Sequence, residues 1–309
     1  MENVNEQKVT AKKVILTSFL VDVSDIFLSL VVAILSGSVI MLTQVLEGLS
    51  DFASSGLLLW GLKKSDQKAD KRHPFGYGRE IYFWALISAL IMFGITATLS
   101  IYFGWQRYVS PHKINDLNFA FVVLTFTLGT NIYAFWLSLK RLLRKRRAKD
   151  IIKIFYRSSL VETKATFILD LMGSAASFLG IAALAIYAFT GDFRYDGLGA
   201  IVIGIVLAIF SYFLILGIRD LLIGRSASPE IELQIRQAAL KVPEVKHVLG
   251  IKTLHIGPGK LLVNLDVHLE SQLKTREIER LIDDIKEVIR SEVPSVKHIQ
   301  VELETPNKT

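Results

Sequence analysis

The chain has 309 residues, no cysteine, 51% hydrophobic residues, and 36 Lys and Arg against 29 Asp and Glu, a net charge of +7. The lack of cysteine excludes disulfides and thiolate metal sites, so any metal is held by oxygen and nitrogen donors. Its apolar residues run in long blocks, which excludes an ordinary soluble domain and assigns the positive charge to loops beside a bilayer rather than to nucleic acid.

The start, Met1 to Lys8, is polar and carries acids, unlike a cleavable signal. Residues 1–13 are therefore expected to form an N-terminal tail. Six segments then reach the roughly 20 apolar residues that a membrane helix needs. They are Val14–Leu35, Val39–Leu62, Ile81–Phe103, Phe119–Leu139, Thr166–Phe189 and Leu198–Leu216. Only Ser36, Gly37 and Ser38 separate the first two, which predicts a tight antiparallel hairpin. Lys63, Lys64, Lys68, Lys71 and Arg72 follow span two, Lys140, Arg141, Arg144, Lys145, Arg146 and Arg147 follow span four, and Arg219 and Arg225 follow span six. The loops around Pro111 and Gly191 are much less basic. The positive-inside rule therefore places both termini in the cytoplasm, and the 144–147 cluster also suits anionic headgroups.

Residues 14–225 form the membrane part on this reading, 226–304 a small soluble domain, and 305–309 a tail. Pro229 fits the first turn of a helix, with Glu230 and Glu232 favourable at its positive end. Val248–His255 predicts a strand, and Gly257, Pro258 and Gly259 a turn. From Lys260 to Glu270 the pattern alternates, with Leu261, Val263, Leu265, Val267 and Leu269 on one face. Ile278, Leu281, Ile282, Ile285, Val288 and Ile289 keep helical spacing, and Ile299, Val301 and Leu303 alternate again. The order α-β-β-α-β suits an α+β sandwich with its helices on one sheet face.

The informative residues are acids inside the spans. Glu47 and Asp51 lie four apart, so a helix presents both from one face. One such acid at mid-membrane depth costs about 2.5–3.5 kcal/mol on insertion scales. A bound cation, a proton or a basic partner would offset that cost; the alternative is a helix end with solvated acids. Span one carries Asp22 and Asp25, which also suit a water-filled inner cavity. Span five carries Glu162, Thr166 and Asp170 at successive steps of four, followed by small residues that permit close helix approach. If spans two and five are neighbours, Glu47, Asp51, Asp170 and the Thr166 hydroxyl converge on one ion. The competing reading pairs Asp170 with Lys164 or Arg157. Like charges raise one another's pKa, so a divalent ion, or protons in its place, must neutralise such a cluster.

These residues resemble the cation diffusion facilitator family, in the branch related to the ninth human zinc-transporter homologue. The resemblance runs from about Val14 to Glu304. It rests on Gly37-Ser38 before the Glu47 and Asp51 helix, on the loop from His73 to Trp84 (HPFGYGREIYFW), and on Leu221 to Gly224 leading into a domain with Gly257-Pro258. It implies a homodimer in the plasma (inner) membrane, each protomer with six transmembrane helices and a cytoplasmic ferredoxin-like domain. It further implies export of a divalent metal against entering protons by alternating access, with no permanently bound cofactor.

By position, the resemblance makes Glu47, Asp51, Thr166 and Asp170 the metal ligands; Asp22, Asp25 and Glu162, from their place in spans one and five, are candidates for a cation path. Zinc is the family default. Here, however, Glu47 and Thr166 stand where His or Asp is common, and an all-oxygen set suits Mn²⁺, Mg²⁺ or Fe²⁺, with Co²⁺ a further candidate cargo. A second metal in the loop after span two would use Asp70 and His73, although Tyr77 replaces a second histidine. Asp266, Glu302 and Glu304 are the nearest matches to further metal positions in the cytoplasmic domain, where a solvated strand face is the alternative. Arg79 and Asp220 are candidates for an ion pair between spans three and six. A relative that scaffolds without transporting is the rival reading. No nucleophile elbow, phosphate loop or His-rich zinc motif suggests an enzyme.

Overall fold

The computed structural model describes Val23, residues 25–143 and residues 161–305. These divide into two compact units. The first takes the chain up to Lys64 and then Glu80–Arg219, and the second takes Ser65–Arg79 and everything from Asp220 onward. Asp22, Arg157 and the basic cluster at 144–147 lie outside the described residues, as does the side chain of Glu162.

The first unit is helical: α1 (Asp25–Ser36), α2 (Val39–Ser65), α3 (Glu80–Val109), α4 (Leu117–Leu143), α5 (Val161–Thr190) and α6 (Arg194–Ile223). Among the described residues, α3 to α6 supply four helices long and apolar enough to cross a membrane. The other two expected spans differ for separate reasons. Helix α2 has the length, at 27 residues, but Gln44, Glu47, Ser50, Asp51, Ser54 and Ser55 make it more polar. Only the last part of span one falls among the described residues.

The polarity of α2 points inward. Thr43, Gln44, Glu47, Ser50, Ser54 and Ser55 are buried, whereas Leu49, Phe52 and Trp60 are exposed. This is the reverse of a soluble amphipathic helix and is what an apolar solvent selects. Helix α5 is central, with 61% of its most apolar window buried against 33% or less for α3, α4 and α6. It also turns Thr163, Lys164, Thr166, Asp170 and Ser177 into the interior. Trp105, Phe119, Trp136, Phe178 and Phe189 stand exposed around the unit.

Three connections meet at one end of this unit. Gly37 turns the chain between α1 and α2 with φ +67°, a conformation that disfavours a side chain. Asp196, in the first turn of α6, is fully buried and caps the start of α2. Its carboxylate accepts from Ser38 Oγ (2.6 Å), Val39 N (2.9 Å) and Ile40 N (3.1 Å). Arg107 of α3 pairs with the same carboxylate at 3.0 Å and donates to the carbonyls of Gly37 and His112. In mid-bundle, α3 loosens into a π-helical turn over Met92–Ala97, and Thr96 there hydrogen-bonds Ser50 of α2.

The second unit follows the α-β-β-α-β order: α7 (Pro229–Ala239), β1 (Val245–Gly257), β2 (Lys260–Leu269), α8 (Thr275–Glu292) and β3 (Val296–Leu303). Strand β2 is central, antiparallel to β1 (Ile251 opposite Leu265) and parallel to β3 (Leu265 opposite Val301). Because β3 lies directly beside β2, the β2-α8-β3 crossover is unsplit, unlike the split unit of a complete ferredoxin-like fold. All five inward residues of β2, from Leu261 to Leu269, join Ile235, Ala238 and Ala239 of α7 and Leu281, Ile285 and Ile289 of α8 in one core. Burying each large aliphatic side chain there contributes about 1.5–3 kcal/mol. Strand β1 starts three residues earlier and ends two residues later than the sequence pattern predicts. The outer face of β2 carries Leu262, Asn264, Asp266 and His268, all half-buried.

Candidate functional site

Helical spacing places Glu47 and Asp51 on one face of α2, and the apolar exterior turns that face inward. Glu47 is 3% exposed and Asp51 half-buried. Helix α5 does the same for Thr166 and Asp170, at 4% and 7% exposure. Lys164, also buried, lies on α5 two residues before Thr166. All four expected ligands therefore lie within the first unit on its two polar-faced helices. They do not close into a cage: among the described residues, no three His, Asp or Glu side chains gather closely enough to hold a metal ion.

Neutral donors serve three of the buried acids. Gln44 Nε2 donates to Glu47 Oε2 at 3.2 Å. Ser138 of α4 donates to Asp170 Oδ2. Thr130 of α4 donates to Asp25, 3.2 Å from Oδ1 and 3.3 Å from Oδ2. Asp196 is held by a buried guanidinium and two backbone N–H groups. Hydroxyl and amide donors hold a carboxylate in place without adding a charge of their own. The interior of this unit thus offers oxygen donors without imidazole or thiolate, a set suited to a hard or borderline divalent ion.

The helper residues Gln44, Ser50, Thr96, Thr130, Ser138 and Ser177 were missed by the sequence reading. For Thr130 and Ser138 the signal is present on span four, where Thr127, Asn131 and Ser138 follow at steps of four and seven, one face of an apolar helix. Asp196 was also missed, because one acid in a first helical turn looks like ordinary dipole compensation.

In the second unit, Asp70 and His73 occupy the loop before α3. Asp70 Oδ1 accepts from Arg72 N (2.9 Å) and His73 N (2.6 Å), and Oδ2 accepts from the Tyr77 hydroxyl (2.8 Å). These bonds, the His73 N–H foremost, hold the Asp70 carboxyl below its ordinary value of 3.8. His73 Nδ1 lies 3.7 Å from Oδ1, and its ring rests against Tyr77. The loop then packs on the sheet: Phe75 meets His298 edge-on at 5.2 Å, and Arg79 donates to the His255 carbonyl at 3.3 Å rather than to Asp220. Asp266 and Glu302 sit opposite each other across β2 and β3. Glu302 Oε1 accepts from Asn264 and Gln300, both at 3.2 Å. The Glu304 carbonyl accepts from His268 Nδ1 at 3.2 Å.

Comparison with known proteins identifies the family. Residues 15–222 match the Cation efflux transmembrane domain family, and residues 227–306 match ZT_dimer, the cation efflux protein cytoplasmic domain. The chain is 27% identical over 286 residues to the proton-coupled zinc antiporter SLC30A9, mitochondrial, of Homo sapiens, covering 89% of this chain and 50% of that protein. It is 28% identical over 243 residues to metal tolerance protein C4 of Arabidopsis thaliana, covering 77% and 52%. It is 25% identical over 295 residues to the zinc transporter ZitB of Pectobacterium atrosepticum, covering 95% and 84%. The chain spans about half the length of the human and plant relatives. With two-thirds of its length inside the transmembrane family, this chain belongs to the cation efflux family, a transporter family and not an enzyme family, and is related to the SLC30A9 antiporters.

Proposed function

We propose that this protein carries a divalent metal cation, zinc first, out of the cytoplasm in exchange for protons. The observation that carries the reading is the inward polar face shared by α2 and α5, which buries Glu47, Thr166 and Asp170 inside a unit with an apolar exterior. Ionised acids there are costly, and a divalent cation or replacement protons remove that cost. Glu47, Asp51, Thr166 and Asp170 are the ligands on this reading, with Asp25 placed to receive the ion along its path. SLC30A9, a proton-coupled zinc antiporter, supports both zinc and proton coupling, and the zinc transporter ZitB supports zinc.

Six spans, both termini in the cytoplasm and a homodimer joined through the C-terminal unit belong to the same proposal. The compartment is the plasma (inner) membrane on the sequence reading, whereas the human relative is named as mitochondrial. A second reading, favoured by the all-oxygen donor set, prefers Mn²⁺ or Fe²⁺ to zinc.

The test is a proteoliposome assay in which Zn²⁺, Mn²⁺, Fe²⁺, Co²⁺ and Mg²⁺ are compared for saturable uptake and opposed proton movement. Zn²⁺-driven proton flux is the expected result. A stronger response to Mn²⁺ or Fe²⁺ selects the second reading. No flux with any ion, together with no binding to the purified protein, contradicts both and leaves a scaffold.

A further inference from the structure

We propose that Gln44 is a positioning residue for metal transport, an amide arm fixed by Ser177 that orients the Glu47 carboxylate toward the ion; this rests on reading Glu47 as a metal ligand. Gln44 lies three residues before Glu47 on α2, so the two side chains are neighbours on the inward face. Its Nε2 donates to Glu47 Oε2 at 3.2 Å. Its other end, Oε1, accepts the Ser177 hydroxyl of α5 at 3.0 Å. An amide is a donor at one end and an acceptor at the other. The Glu47 carboxylate only accepts, so it takes the Nε2 end of Gln44, and the Ser177 hydroxyl donates to the Oε1 end.

The chain of contacts continues. Ser177 Oγ lies 3.3 Å from Thr127 Oγ1 of α4, and Thr127 donates to the Leu124 carbonyl at 3.1 Å. All three polar side chains are buried: Gln44 is 6% exposed, Ser177 0% and Thr127 1%. Glu47 thus takes its orientation from the packing of α4 and α5, not only from its own helix. A glutamate needs this support more than an aspartate does, because it has one more rotatable bond to fix. Gln44 is also neutral, so it neither repels the ion nor adds to the acids it must balance. Finally, the Gln44–Ser177 bond joins the two helices that carry the proposed ligand pairs.

The experiment measures initial Zn²⁺ uptake against Zn²⁺ concentration for the full-length protein in proteoliposomes, with melting temperature recorded for each variant. Residues that orient a metal ligand typically contribute about 10–100-fold to metal affinity. Gln44→Leu is expected to raise KM for zinc roughly tenfold with the maximal rate little changed, and Ser177→Ala to raise it in the same direction by less. The double variant should be no worse than Gln44→Leu alone, because both remove one arm.

Wild-type KM in both single variants overturns the proposal, whatever happens to the melting temperature, since a merely structural role moves stability and not KM. Additive effects in the double variant overturn it too. Should Gln44→Leu fail to fold, Ser177→Ala decides alone: a raised KM supports the arm and an unchanged KM rejects it. Asp170→Ala runs alongside as the control for the underlying reading. Wild-type transport in that variant sinks the ligand assignment itself, separately from the role of Gln44.

Discussion

Among the buried acids of the first unit, Asp196 has partners that define a structural role. Asp196 is fully buried, 3.0 Å from the Arg107 guanidinium, and it caps α2 through Val39 N and Ile40 N. Removing it strands a buried cation and uncaps a helix, which costs about 3–5 kcal/mol in comparable buried pairs. Asp196→Ala should therefore lower the melting temperature of the detergent-purified protein sharply. An unchanged melting temperature would contradict this role. Glu47, Asp51 and Asp170 were legible in the sequence because charge in an apolar helix stands out. Asp196 was not, since its cost is offset by Arg107, which lies 89 residues earlier, and no spacing rule joins such positions. Gln44 and Ser138 escaped for a milder reason: uncharged polar residues are tolerated in membrane helices without a special role.

At the scale of elements, the loop from Ser65 to Arg79 behaves as part of the C-terminal unit. Its closest contact has no room for a side chain. A Cβ on Gly78 would lie 2.4 Å from the Ile256 carbonyl oxygen, and backbone cannot yield. Gly78→Ala should lift the loop from the sheet, seen as faster deuterium uptake across residues 65–79 and faster tryptic cleavage at Lys68, Lys71 and Arg72. Unchanged protection would show that the contact does not hold the loop. Asp70 sets the pH range of the same loop. Its folded pKa is depressed, so its contribution is complete above the ordinary value of 3.8 and is lost as pH falls through the lower folded value. The Asp70 side-chain carboxyl resonance should keep its ionised position down to the ordinary value of 3.8 and move only below it; a midpoint at or above 3.8 would contradict this. The loop's docking was hidden from sequence because it depends on Phe75 meeting His298, more than 200 residues away. The strands and helices of the same unit were legible, since β2 alternates strictly and α8 keeps helical spacing. The π-helical turn at Met92–Ala97 carries no local signal; its Thr96 contact with Ser50 is tertiary.

For the whole molecule, the division into an apolar helical unit and a small α+β unit follows from hydropathy, and the family resemblance is borne out by matches over residues 15–222 and 227–306. The inward face of α2 explains why length and apolarity part company there: a helix that buries Gln44, Glu47, Ser50, Ser54 and Ser55 cannot also be uniformly apolar. The central claim is that the acids of α2 and α5 act together on one transported ion. The direct measurement is zinc-driven proton flux in proteoliposomes for the wild type, Asp51→Ala and Asp170→Ala at matched protein levels. The account predicts that zinc uptake and proton counterflow fall together in both variants, by about a hundredfold or more. Wild-type flux in both variants, or zinc uptake with no proton movement in the wild type, would contradict it.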